Sequence, residues 1–194
     1  MSLKVKEIFY SLQGEGGRQG EASIFIRLSG CNLKCDFCDT DFSGGEMLEL
    51  TRILSVIRKF PCQWIIWTGG EPALQLTGET VAFFKREGYF QAIESNGHYP
   101  LPDMLDYTAV SPKGNPDYVR KINPVVDEIR LPVRKGDAIP GFERLPEAKY
   151  YFLSPVFTDD MLATKENINY CVEQIKRLTG WRLSLQIHKL IAIE

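Results

Sequence analysis

Short apolar, β-branched runs recur along the whole chain, with fewer amphipathic stretches between them. The runs "SIFIRLSG" (23–30), "WIIWT" (64–68), "FQAIES" (90–95), "TAVS" (108–111), "EIRLPV" (128–133), "YYFLS" (150–154) and "RLSLQIH" (182–188) predict strands, and "KVKEIFY" (4–10) is a further candidate. Several are apolar on both faces, as a sheet covered on both sides requires. Leu50, Ile53, Leu54 and Ile57 repeat at helical spacing. Val81 and Phe84 mark a second helix that Gly88 ends, and Ile168, Cys171, Val172 and Ile175 mark a third between a Thr164 cap and Gly180. Segments 112–127 and 134–148 read as loop with a turn of helix at most.

Strands interleaved with helices predict a mostly parallel sheet with helical crossovers. Three helices cannot cover eight strands, and 194 residues fall short of the roughly 250 usual for a closed (β/α)8 barrel. The expected fold is α/β: an incomplete, TIM-like barrel of about six strands and about three helices, in one domain over 1–194. Ligands bind such sheets at the carboxyl ends of the strands. The distinctive segments follow strands there: "GCNLKCDFCDTD" after 23–30, "TGGEP" after 64–68, "SNG" after 90–95 and "SPKG" after 108–111.

Charge narrows the function classes. Lys and Arg number 23 against 25 Asp and Glu, with no polybasic or acidic tract, so no nucleic-acid partner is indicated. No apolar run approaches the roughly 20 residues of a membrane span, and the start carries no signal-peptide pattern. A cytoplasmic protein without a membrane partner is expected. Five cysteines, an odd number with three bunched, argue against a disulfide framework.

Those three, Cys31, Cys35 and Cys38, are close enough for one loop to bring together. Clustered thiolates bind a soft metal, either zinc or an iron–sulfur cluster. Zinc needs a fourth ligand, for which Cys62, Cys171, His98 and His188 are candidates, although Cys171 on an apolar stripe reads as a small buried hydrophobe. The paired glycines of "TGGEP" strip side chains from a strand edge and admit close approach. In "LQGEGG", Gln13 offers donor and acceptor and Glu15 an acceptor, a set that suits a flat, nitrogen-rich heterocycle. Arg27 sits inside an apolar strand and needs an anionic partner. That partner is either an internal carboxylate such as Glu94 or a ligand carboxylate held bidentately.

The spacing Cys31-x3-Cys35-x2-Cys38, with Phe37 before the last cysteine, resembles the signature loop of the radical S-adenosylmethionine (SAM) superfamily. The resemblance implies a [4Fe-4S] cluster held on three irons by Cys31, Cys35 and Cys38, with SAM chelating the fourth. It implies SAM contacts at Phe37, Asp39, Gly70 of the GGEP motif, Ser111 and Lys113 of "SPK", and Ser154 of "LSPV". In order along the chain, "LQGEG", Arg27, "CDFCDT", "TGGEP", "IES-G", "SPK" and "RLSLQIHK" are similar to the 7-carboxy-7-deazaguanine synthase family. That family converts 6-carboxy-5,6,7,8-tetrahydropterin to 7-carboxy-7-deazaguanine, with ring contraction and loss of ammonia, for queuosine and deazapurine biosynthesis.

The resemblance implies a pterin site of Leu12, Gln13, Gly14, Glu15, Arg27, Thr68, Glu94 and His188, with Arg27 on the substrate carboxylate and Mg2+ on Thr40. It implies a homodimer and an electron donor such as flavodoxin or ferredoxin. The chain is short for the family between the cysteine loop and "TGGEP", with room for one helix. Two other readings compete: an activating enzyme acting on a partner protein, and a non-catalytic zinc-binding module.

Overall fold

The computed structural model describes residues 1–193. Nine strands among the described residues form one sheet: β1 (Ser2–Leu12), β2 (Ala22–Leu28), β3 (Glu46–Glu49), β4 (Trp64–Gly69), β5 (Phe90–Ser95), β6 (Tyr107–Val110), β7 (Val125–Val133), β8 (Glu147–Pro155) and β9 (Trp181–Leu183). Their order is β3-β1-β2-β4-β5-β6-β7-β8-β9. From β2 to β9 every neighbouring pair is parallel, and β1 pairs antiparallel with both β2 and β3. The sheet curls without closing, with β3 and β9 at its edges. This is the incomplete barrel that the sequence predicts.

The helices are α1 (Leu50–Ile57), α2 (Gly78–Arg86), α3 (Pro116–Ile122), α4 (Met161–Arg177) and α5 (Ile187–Leu190). Leu50, Ile53, Leu54 and Ile57 of α1 are buried against Leu3, Val5, Ile24 and Ile26, each stabilising the fold by about 1.5–3 kcal/mol. One helix thus fills the stretch between the cysteine loop and "TGGEP". A second core joins β7, β8 and α4 through Ile129, Leu153 and Cys171. Cys171 is therefore a core residue. No described helix is long and apolar enough to cross a membrane.

Several expectations need correction. The strands number nine rather than six among the described residues, and the α-helices five rather than three. Edge strand β3 leaves three of its four residues exposed, so no apolar run marked it. Asn115 caps α3 by accepting from Asp117 N, with Pro116 at the first helical position, and this makes a true helix where a loop was expected. Asp160, not Thr164, caps α4: its Oδ1 accepts from Leu162 N at 2.8 Å and Ala163 N at 3.3 Å. Thr164 Oγ1 instead donates to Thr158 O at 3.1 Å.

The run 182–188 is a strand only to Leu183. Ser184 Oγ then accepts from Gly16 N at 2.9 Å, and Ile187 N donates to Gly14 O at 3.0 Å. The loop after β1 captures the chain and turns it into α5. On an alternating strand Gln186 and His188 would face one side, but Gln186 instead precedes α5 and His188 lies within it. The same loop reaches across the open side of the barrel, because Gly17 N donates to Glu128 Oε2 of β7 at 2.7 Å.

Candidate active site at the carboxyl ends of the strands

The cysteine loop leaves β2 and is tied down by the loops after β4 and β5. Glu71 N donates to Gly30 O at 2.9 Å. The fully buried Glu71 carboxylate accepts from Ala73 N at 2.9 Å, Ser95 Oγ at 2.8 Å and Asn96 N at 2.7 Å. Burial pushes its pKa up, and those hydrogen bonds pull against it. Asn96 Nδ2 completes the tie by donating to Asn32 Oδ1 at 2.8 Å. Gly70 explains itself by contact: a Cβ there would lie 1.9 Å from Gly30 O, against backbone that cannot yield. The GGEP segment therefore acts first as the seat of the cysteine loop.

Cys31, Cys35 and Cys38 line one cavity of about 200 Å³, together with Phe37, Asp39, Thr40, Gly70, Ser111, Lys113 and Ser154. Past Phe37, Lys113 and Pro132 it adjoins a further groove of about 390 Å³. Burial pushes the Cys35 thiol up, Lys113 counters it, and neighbouring Cys38 and Cys31 add to the rise. Lys113 Nζ and Arg134 Cζ lie 5.7 and 5.2 Å from the Phe37 ring centroid. Ser154 Oγ is buried in this wall and has no hydrogen-bond partner in the protein. A buried hydroxyl left unpaired at a cavity wall is a place for a ligand polar atom.

The zinc reading loses its fourth ligand. None of Cys62, Cys171, His98 and His188 lines the cysteine cavity. Cys62 Sγ faces Ala22 O at 3.2 Å, beside the start of β2. His98 stacks on Tyr118, with centroids 5.4 Å apart.

A second cavity of about 560 Å³ adjoins the first, within the usual range for small-molecule sites. Leu12, Gln13, Gly14, Glu15, Arg27, Thr68, Glu94 and His188 all line it. Glu15, Asp39, Thr40, Thr68, Glu94 and Gln186 line both cavities and form the wall between them. Every residue that the resemblance assigns to cluster, SAM, Mg2+ or pterin thus lines one of the two cavities, whereas Cys62, Cys171 and His98 line neither.

Arg27 is corrected in one respect. Its partner is Glu7, the residue directly across on β1, with Nε to Oε1 at 2.6 Å. Glu94 is occupied elsewhere: it accepts from Gln13 Nε2 at 3.0 Å, Thr68 Oγ1 at 3.0 Å and Arg130 Nη1 at 2.6 Å. His188 lies on Gly14, where a Cβ would stand 2.0 Å from Nδ1. Burial holds the His188 imidazole below its ordinary range, with Lys189 adding to the effect. Burial raises Asp39, but Lys189 at its carboxylate outweighs this and keeps it below the usual carboxylate value.

Sequence reasoning passed over Arg130 and Glu128 of β7 and the stacked Phe9 and Phe25, whose rings lie 4.9 Å apart and line the second cavity. Arg130 alone carried a signal: a charge inside the apolar run "EIRLPV".

A scan against protein-family models finds no match for the chain. The curated 7-carboxy-7-deazaguanine synthase of Bacteroides thetaiotaomicron is 40% identical over 193 residues, spanning all of both chains. That of Haemophilus influenzae is 39% identical over 202 residues, covering 100% of this chain and 95% of the relative. The chain belongs to the 7-carboxy-7-deazaguanine synthase family. Its short middle stretch is therefore no truncation, since the first of these relatives matches end to end. The crystal structure of QueE from Escherichia coli has the same fold, with a TM-score of 0.72 at 23% identity over 96% of this chain and 94% of that one. Membership in this enzyme family sets aside the activating-enzyme and zinc-module readings.

Proposed function

We propose that the protein is a radical SAM enzyme that converts 6-carboxy-5,6,7,8-tetrahydropterin to 7-carboxy-7-deazaguanine with loss of ammonia. The observation that carries this reading is the shared wall: two adjoining cavities, one lined by three thiols and one by amide, carboxylate, guanidinium and aromatic groups, separated by six residues. The donor set fits the implied group, because Cys31, Cys35 and Cys38 supply three soft ligands and the unpaired Ser154 Oγ faces the space beside them. When bound, a [4Fe-4S] cluster and SAM supply a radical that removes one hydrogen atom from substrate.

The chain's own residues do the rest. Phe37, Asp39, Gly70, Ser111, Lys113 and Ser154 bind SAM on the thiol side. Arg27 holds the substrate carboxylate while Glu7 fixes its Nε side. Gln13, Glu15, Glu94 and Thr68 set the ring nitrogens in register, Phe9 and Phe25 give the flat ring an apolar face, and Leu12, Gly14 and His188 bound the opposite side. Thr40, in both walls, offers its hydroxyl as a hard-oxygen ligand for Mg2+ next to the substrate carboxylate. The protein works as a homodimer, fed single electrons by a flavodoxin or ferredoxin.

The test is anaerobic. The protein is reconstituted with iron and sulfide, then given reductant, SAM, Mg2+ and 6-carboxytetrahydropterin, and product is followed by mass spectrometry. Product in excess over SAM consumed supports the whole reading. Cleavage of SAM without product would move the search to another substrate, and neither outcome in a cluster-loaded protein would end it.

A further inference from the structure

Arg130 is 7% exposed and Glu128 not at all, although each carries a formal charge. Buried charges persist when they are paired and hydrogen-bonded, and both are here. Arg130 Nε donates to Glu128 Oε1 and Nη1 to Glu94 Oε1. Glu128 Oε2 accepts from Tyr107 Oη at 2.8 Å and Gly17 N at 2.7 Å. Glu94 thereby receives three donors, from β4, β7 and the loop after β1. Glu128 lines neither cavity, whereas Arg130 reaches the cysteine cavity and Glu94 reaches both. The arrangement is a strut running from a fully buried carboxylate, through a guanidinium, to the carboxylate in the dividing wall.

We propose that Arg130, backed by Glu128, is a positioning residue that fixes the Glu94 carboxylate as a pure acceptor for the N–H edge of the substrate. This inference rests on the proposed function for the identity of that substrate. The charge balance supports it. The ionisable groups facing Glu94 are Arg130 from β7, Glu15 from the loop after β1 and His188 from α5, with the neutral donors Gln13 and Thr68. Burial works to raise Glu94, but Arg130 and the donated hydrogen bonds outweigh it and hold its pKa below the ordinary value. Glu15 has the same guanidinium at longer range and no direct bond to it, and burial there prevails and raises its pKa. One cation among three carboxylates thus favours the ionised form of the wall carboxylate it bonds, while Glu15, without that bond, is pushed the other way by burial.

The experiment compares wild type, Arg130→Lys, Arg130→Gln and the double variant Glu128→Gln/Arg130→Gln, which removes both buried charges and guards against misfolding. Each full-length chain is isolated anaerobically and checked by thermal melting. The first readout needs no turnover: carbon-13 NMR of glutamate-labelled protein, with the Glu94 signal assigned by its loss in Glu94→Gln. Its titration midpoint should rise by about one pH unit or more in Arg130→Gln and in the double variant, and by less in Arg130→Lys. The second readout is kcat/KM against pH. It should fall about 10²-fold at neutral pH in Arg130→Gln, its acid limb should move up with the NMR midpoint, and Arg130→Lys should restore part of both. An unmoved Glu94 midpoint in folded variants would overturn the proposal, even if the substrate proved to be another molecule. A lowered melting point with an unshifted pH profile would make Arg130 merely structural and equally overturn it.

Discussion

The two cavities share a wall but are built by opposite means. The cysteine cavity is made mostly from the loop after β2 and the carboxyl ends of β4, β5, β6, β7 and β8, so most of its groups lie within short, contiguous motifs at the strand ends. Its thiols stand on a loop whose residues 31–40 are all partly or fully exposed, and the loop is seated by Glu71, Asn96 and the Gly70–Gly30 contact. The second cavity draws on β1, β2, the loop between them, and α5 at the far end of the chain. Its polar atoms mostly spend their hydrogen bonds on one another, through Gln13, Glu15, Thr68, Glu94 and Gln186, with Arg130 bonded to Glu94 from the cysteine side. The first region leaves donors open for a bound group, while the second is a preorganised surface that a substrate meets ready-made.

The largest effect that follows falls on the open side. Alanine at any one of Cys31, Cys35 or Cys38 should take product formation and SAM cleavage to background and lower bound iron. The melting point of the apo chain should hardly move, because this loop buries little. Sulfide and iron analysis with differential scanning fluorimetry reads all three. A single-alanine variant that kept full turnover would break the division of labour.

Next comes the wall itself. Glu94→Gln keeps the shape but removes the charge and replaces one of the two acceptor oxygens that Arg130 and Thr68 address with a donor, so kcat/KM for the pterin should fall about 10²-fold. Cleavage of SAM in the absence of pterin should stay within about twofold of wild type, a difference below roughly 0.4 kcal/mol. If both fell together, the wall would serve the two cavities alike.

Two glycines sharpen the contrast further. Gly70→Ala drives a Cβ into the Gly30 carbonyl, which is backbone. It should cost about 1–3 kcal/mol of stability and loosen iron binding. Gly14→Ala meets the His188 ring, a side chain that can turn aside. It should cost less than about 1 kcal/mol in stability and raise the pterin KM about tenfold, with kcat nearly kept. Chemical denaturation and steady-state kinetics separate these outcomes.

How much of this was legible follows the same division. The strand runs, the cysteine spacing and "TGGEP" read directly, because each motif is local and its periodicity is unbroken. The β3 edge did not, since a strand exposed on three of its four residues shows no apolar run. "RLSLQIH" alternates like a strand, yet Ser184 is claimed by Gly16 N from 168 residues away, and the chain turns there. Glu94 was foreseen as an acidic partner for an arginine, but the arginine was Arg130 and not Arg27. Arg27 finds Glu7 because the β1–β2 register sets the two side by side. Pairing of this kind is decided by strand order and register, which no short window of sequence contains.

The smallest expected effect concerns Glu15. Its carboxyl is held above the ordinary value chiefly by burial, with Glu94 adding to the rise and Arg130 and Gln186 opposing it. A carboxyl whose folded pKa exceeds its unfolded one makes the folded chain bind more protons. Stability is then lost as pH climbs from the unfolded value of about 4.5 through the folded one. Glu94 has the opposite slope, because its folded pKa lies below its ordinary value, so the wild-type curve mixes two limbs. Glu15→Gln removes one of them while keeping an acceptor for Gln186 Nε2, which now bonds Glu15 Oε1 at 2.9 Å. The variant should match wild type near pH 4.5 and melt higher at neutral pH, by no more than about 4 °C, the worth of roughly 1 kcal/mol in a chain of this size. Melting curves across that range decide it. A variant that lost stability at neutral pH would mean that Glu15 stays ionised in the wall, and the second cavity would then carry as much open charge as the first.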